Sequence, residues 1–321
     1  MESVNFTSST SANTFDGQLF FYYTMSSIGI LGNGFVCFVM LRYRKVFNST
    51  TNKLIIHQSC LDLIGSCVFL VERFAHMDAV PDSFLGRLYC RVWWSEWPQY
   101  GMFVASTWNL VAISIERYLA ICRPVWYRNV FTPRKLKLVL MTTWMMGWVE
   151  NAHLLIVCFY DSETLGCNVS WFSSEIQAVA GVLVFLHELV VPMTIMVFCY
   201  SLIIWKLRQR AKAHGKNNNT SAQETFSRAN RDVTQTVVLL TIFFLICWSP
   251  TETNYLLYNL GMYQPANLYE DIFYRVTGGI VVINLCISPF IYCFMYERFQ
   301  KQLKEMVGRR TRRVDDSSIL T

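Results

Sequence analysis

"STWNLVAISIERYLAICRP", Ser106 to Pro124, carries an apolar run straight through Glu116–Arg117–Tyr118 and back into Leu119, Ala120 and Ile121. No cap or breaker interrupts the helical pattern, so two opposite charges sit on one continuous helix between apolar neighbours. A buried ion pair of this kind is often no better for stability than two apolar residues. If the helix crosses a membrane, ionisable residues inside it mark a function by default. Whether it does depends on the rest of the chain.

The chain has 321 residues, of which 53% are hydrophobic and only 16% charged, against roughly 25% charged in a soluble domain. The apolar residues gather in seven blocks, at 19–41, 54–74, 89–121, 136–159, 176–207, 233–257 and 272–295. Each is long enough to cross a hydrocarbon core, which takes about 20 helical residues. Continuous apolar runs imply helices rather than barrel strands, because lipid offers the backbone no partner but itself. The expected fold is therefore all-α, a seven-transmembrane helix bundle over residues 19–295, preceded by an extracellular tail at 1–18. Residues 296–307 follow as a short amphipathic helix, with Phe299, Leu303, Met306 and Val307 on one face and Lys and Arg on the rest, a pattern that suits the inner membrane surface. Residues 308–321 form a cytoplasmic tail.

The opening "MESVNFTSSTSANTFDGQ" is polar and acidic, without the basic start and early apolar core of a cleavable signal. The first span is expected to direct its own insertion. Alternating the loops places every Lys and Arg but Arg73, Arg87, Arg91 and Arg275 on one side. The positive-inside rule makes that side cytoplasmic, with the N-terminus outside and the C-terminus inside a plasma-membrane protein. The net charge of +6 thus reports topology and gives no reason to expect a nucleic-acid partner. Glycosylation sequons at Asn5 and Asn168 fall on the outer side, where they can be modified. Cys90 and Cys167 are also in outward-facing segments, where disulfides are favoured.

Polar or kinking residues recur inside the spans: Asn33, Asp62, Glu116–Arg117, Trp144, Pro192 with Tyr200, Cys247–Trp248–Ser249–Pro250, Asn284 and Ser288–Pro289–Phe290–Ile291–Tyr292. As a set, in register across seven helices, they give a chain that resembles the rhodopsin-like (class A) family of G-protein-coupled receptors, peptide receptors in particular. The resemblance runs from Gly32–Asn33 to Phe299.

The resemblance implies roles. Glu116, Arg117 and Tyr118 stand at the family's Asp/Glu-Arg-Tyr triplet, where the acid holds the arginine at rest and the arginine meets the G protein when the bundle opens; a snorkelling pair at a helix end is the plainer reading. Tyr200, Trp248, Pro250, Pro289 and Tyr292 belong with it as activation residues, and Pro250 gives a mid-helix hinge. The acid that ties the arginine to the sixth helix in some members is replaced by Asn230. Asp62, with Ser106, Asn284 and Ser288, corresponds to an allosteric sodium site, a set of hard oxygens that suits the ion; the alternative is a protonated aspartic acid bonded to its neighbours. No other cofactor is implied. Cys90 and Cys167 correspond to the family disulfide, although Cys90 lies two residues farther from Arg117 than usual. A bulge, or a different start to the helix, would absorb the excess, and Pro98 leaves room for both.

For the ligand, Gln99 stands where aminergic receptors carry aspartate, with Glu96 a turn away. Val282 stands where opsins carry their lysine, so retinal is not expected. Glu188 sits one turn before Pro192 inside the fifth span. Glu96, Gln99, Glu188, Trp248 and Glu252 are the expected ligand-binding residues, and an acidic pocket favours a cationic ligand such as a basic peptide; a small amine or other small molecule is the alternative. Expected partners are that ligand, a heterotrimeric G protein, arrestin and membrane lipid. A transporter would show paired interrupted helices or repeats, and neither is evident. An enzyme is not expected, since His57, His76, His153, His187 and His214 are scattered over five regions.

Overall fold

The computed structural model describes residues 8–75, 77, 80–214, 221–265 and 271–318, with side chains described for 17–75, 77, 80–210, 233–265 and 271–308. Seven long helices make the bundle. They are Ser8–Arg42, Thr50–Phe74, Trp97–Cys122, Pro133–Glu150, a fifth running from Ser174 to His214 in three pieces, Ser221–Asn259 and Ile272–Met295. A final helix, Glu297–Ser318, leaves the end of the seventh. Asn5 lies outside the described residues.

Starts are set by local chemistry. Ser49, Thr132, Ser173 and Asp271 each accept a first-turn backbone N–H, from Asn52, Lys135, Ile176 and Tyr274, contacts worth about 1 kcal/mol apiece. Five helices, at 17–42, 50–74, 174–210, 233–259 and 272–295, are long and apolar enough to cross a membrane. The third and fourth are less apolar for different reasons. The third is buried on nearly all sides, packing on the second, fourth, fifth and sixth helices, so it can carry Gln99, Asn109, Glu116 and Arg117. The fourth has only 18 residues, and Arg134, Lys135, Lys137 and Glu150 are among them. It sits so close to the third that a Cβ on Gly147 would lie 2.1 Å from the Gly101 carbonyl; small residues allow such an approach.

Several boundaries differ from expectation. The first helix begins at Ser8, inside the segment read as a tail. The fourth stops at Glu150; single turns at Asn151–His153 and Leu154–Val157 follow, and Cys158 and Phe159 enter strand β1, Cys158–Asp161. That strand pairs antiparallel with β2, Gly166–Val169, placing Tyr160 opposite Cys167. Cys167 is bonded to Cys90, with Cα atoms 5.2 Å apart, so the hairpin is fastened to the approach to the third helix. The last helix extends past 307 to Ser318. Within it Phe299 is fully buried, while Val307 is 58% exposed.

Prolines reshape two helices. Pro192 has no N–H and its ring displaces the carbonyl four residues back, that of Glu188; the helix widens into a π turn over Leu186–Val190, and Glu188 is turned inward to 3% exposure. Ahead of Pro98, a short helix Phe84–Leu88 leads into a π turn over Tyr89–Trp94, and Glu96 then takes a left-handed conformation, φ 55°. The long Cys90–Arg117 interval is taken up by a different start to the helix, which begins at Trp97 after a separate π turn.

Candidate functional site

Three polar clusters lie along the bundle axis. At the end away from the disulfide, Arg117 donates from Nε to Glu116 Oε2 at 2.6 Å and from Nη2 to Oε1 at 2.7 Å. Glu116 is fully buried and Arg117 nearly so. The carboxylate takes two further donors, Thr51 Oγ1 at 3.0 Å to both oxygens and the Tyr127 hydroxyl at 2.9 Å to Oε1. Thr51 is in the first turn of the second helix, and Tyr127 is in a short helix, Pro124–Val130. Burial, and then the Glu116 charge, raise the Tyr127 phenol above its ordinary value, so it keeps the proton it donates. An ion pair left in a low dielectric is costly unless its remaining lone pairs are satisfied; here four donor groups or arms meet one carboxylate.

Several of the residues expected to take part in activation lie near this cluster. Tyr118 is half-buried, its ring 6.3 Å from Phe198. The Tyr200 and Ser114 hydroxyls are hydrogen-bonded at 2.7 Å. The Tyr296 hydroxyl donates to Asn52 Oδ1 at 2.5 Å, while the buried Tyr292 hydroxyl has no partner among the described residues. The Asn230 side chain lies outside the described residues. Pro250 and Pro289 sit inside the sixth and seventh helices.

The middle cluster centres on Asp62, 2% exposed. Ser106 Oγ donates to Oδ1 at 2.8 Å and Ser288 Oγ to Oδ2 at 3.0 Å, so two of the three expected neighbours are in place. Asn284 is half-buried and makes no hydrogen bond to Asp62. Its place is taken by Gln58, which sequence reasoning missed: Nε2 donates to Asp62 Oδ1 at 3.1 Å and to Ser106 Oγ. A polar residue one helical turn before Asp62 was the available signal.

The third cluster lies toward the disulfide end and divides the expected ligand residues in two. Glu96 is ion-paired with Arg73, which also donates to Gln99 Oε1 at 3.4 Å; Glu96 is thus neutralised within the protein. Glu188 and Glu252 face one another from the fifth and sixth helices, both 3% exposed. Asn151 Nδ2 donates to Glu188 Oε1 at 3.3 Å, and His187 pairs with Glu150. Among the described residues no cation reaches Glu188 or Glu252, and Glu252 Oε2 has no partner. Nor do the oxygens of Glu72, 6% exposed in the second helix. Trp248 lies below, buried, with its ring edge-on to Phe103 at 5.5 Å. Asn168 is exposed on the hairpin, its side-chain amide 3.3 Å from Asp161 Oδ2.

The seven packed helices thus carry a buried ion pair at one end and a buried acidic recess at the other. The family model of the 7 transmembrane receptor (rhodopsin family) matches residues 32–292, from the first helix through Tyr292. The chain belongs to that family and is a G-protein-coupled receptor by class.

Proposed function

We propose that this receptor binds a cationic extracellular ligand, most simply a peptide with a basic residue or a free amine, and activates a heterotrimeric G protein in the plasma membrane. The observation that carries the ligand half is the facing pair Glu188 and Glu252, buried with no cation beside them among the described residues. Two acids buried this close cannot both carry charge without cost; a positive group entering between them would let both ionise. Arg73 is committed to Glu96, which leaves the demand to the ligand. A small amine would satisfy the same pair, and Gln99 in place of an acid favours the larger ligand.

The signalling half rests on the bidentate Arg117–Glu116 contact. In this reading the disulfide end is extracellular, the Glu116 end cytoplasmic, and Arg117 leaves Glu116 to meet the G protein as the sixth helix swings about Pro250. Arrestin would use the same face. The test is guanine nucleotide exchange in membranes carrying the chain, challenged with basic peptides and with amines. A basic peptide should drive exchange and Arg117→Ala should abolish it. Exchange that survives Arg117→Ala would overturn the latch assignment, and a response confined to neutral or acidic ligands would overturn the pocket.

A further inference from the structure

The surroundings of Asp62 form a chain of hydrogen bonds with a fixed direction. It starts at Trp144 in the fourth helix, whose indole N–H can only donate and is 3.0 Å from His57 Nε2. That nitrogen must accept, so the neutral imidazole carries its proton on Nδ1, which faces Asn109 Oδ1 at 2.9 Å. The amide of Asn109 is therefore oriented with Nδ2 the other way, and the Leu54 carbonyl, an obligate acceptor 3.1 Å from Nδ2, fixes the same orientation independently. Asn109 Nδ2 also donates to Gln58 Oε1 at 2.8 Å. With its oxygen so engaged, Gln58 turns Nε2 toward Asp62 Oδ1, 3.1 Å away, and toward Ser106 Oγ.

Amide orientations are ordinarily assigned from the network around them; here a donor-only group and an acceptor-only group fix this one from the far end. Gln58, Asp62, Asn109, Ser106 and Ser288 are each at most 5% exposed. To present an oxygen to a cation, Gln58 would have to turn over and set its NH2 against that of Asn109. Asn109 cannot follow without losing Leu54 and His57. A partly satisfied buried network is costly, so the relay resists turning as a unit.

The expected sodium site thus does not fit the side chains present. The oxygens of Asp62, Ser106 and Ser288 suit a hard cation, but an amide N–H points among them and Asn284 does not join. We propose that Gln58 is a built-in substitute for the cation: its N–H groups supply the positive end that Asp62 requires, and the receptor takes no sodium ion there. Trp144, His57 and Asn109 act as positioning residues that keep Gln58 turned. This inference does not depend on which ligand the receptor binds.

Thermal unfolding of the purified full-length receptor in sodium, potassium or choline chloride at equal ionic strength tests it. The wild-type midpoint should be the same in all three salts. Gln58→Leu, which removes the amide and leaves the carboxylate and hydroxyls, should gain a sodium-specific rise of about 2 °C or more, lost again when Asp62→Asn is added. A sodium-specific rise in the wild type that Asp62→Asn removes would overturn the proposal. So would a folded Gln58→Leu receptor that ignores sodium. If Gln58→Leu does not fold, the wild-type comparison with Asp62→Asn decides alone: equal midpoints support the proposal and a sodium-specific rise sinks it.

Discussion

Tyr127 holds Glu116 from outside the third helix, its hydroxyl donating to Oε1 at 2.9 Å. The short helix after the triplet is thereby part of the proposed latch: the carboxylate paired with Arg117 is itself held from two sides, by Tyr127 and by Thr51. Weakening either support should loosen Arg117 without touching it.

Tyr127→Phe should raise ligand-free nucleotide exchange. A hydrogen bond to a charged group contributes about 1.5–3 kcal/mol, and even ~1 kcal/mol of bias toward the open state would change its population about fivefold. Thr51→Val should act in the same direction. Because burial raises the Tyr127 phenol, the folded state keeps its proton where the unfolded chain would lose it. The contact is then intact at neutral pH and is lost only as pH rises beyond the ordinary phenol range. Basal exchange unchanged in both variants would mean that neither contact restrains the arginine.

Glu188→Gln and Glu252→Gln should each weaken an activating basic peptide, by roughly tenfold or more for a lost ionic contact of ~1.5 kcal/mol. The two carboxyls face one recess, so their effects should not add, as expected of residues sharing a partner. Glu96→Gln should have a smaller effect, since its charge is already spent on Arg73. Dose–response curves for the three single variants and the Glu188/Glu252 double variant separate these cases. Simple additivity would place the two acids in different subsites.

His57 should show its neutral imidazole with the proton on Nδ1 and Nε2 unprotonated, accepting from Trp144. Nitrogen NMR of the receptor labelled at histidine reads this from the ring shifts. Trp144→Phe deletes the donor that imposes the form and should let the other tautomer appear. Wild-type His57 protonated on Nε2 would contradict the direction of the relay.

The β1–β2 hairpin should be sensitive to acid. Asp161 accepts from the Glu163 N–H, the Thr164 hydroxyl and the Asn168 amide, which hold its carboxyl below the usual aspartate value. A lowered folded value means that stabilisation is present above the ordinary carboxylate range and lost as pH falls through the folded value. Limited proteolysis across that range should find the hairpin opening only in acid, whereas Asp161→Asn should be indifferent to pH there. The Cys90–Cys167 bond closes an interval of 77 residues; Cys167→Ser should cost about 4 kcal/mol on a chain-entropy account, seen as a lower unfolding midpoint.

The parts of this molecule that were legible in sequence are those whose cause is local or paired with a strong pattern. Long apolar runs gave the helices, and Glu116–Arg117 stood out because charges are rare in such runs. Asp62 with Ser106 and Ser288, and Cys90 with Cys167, followed from resemblance and meet as expected. What was not legible depends on register between helices. Thr51, Tyr127, Asn109 and His57 are ordinary residues until packing brings them to a shared acceptor. Asn284 and Gln58 illustrate the same limit: one polar residue was expected at Asp62, and its neighbour in space is a different one. The ion pair of Glu96 with Arg73 was not legible either, because Arg73, twenty-three residues earlier, is no neighbour in sequence.

The π turns at Tyr89–Trp94 and Leu186–Val190 have a consequence for how such a chain can change. A π turn is an α-helix with one residue too many, the surplus absorbed within a single loop of the spiral. Downstream of Pro98 and Pro192 both helices regain their ordinary phase, so Ser106, Arg117 and Tyr200 meet their partners as if nothing had been inserted. Insertions and deletions at the acidic end can therefore rotate Glu188, or lengthen the path from Cys90, while the latch end keeps its register. The two ends of the same helices are free to drift at different rates.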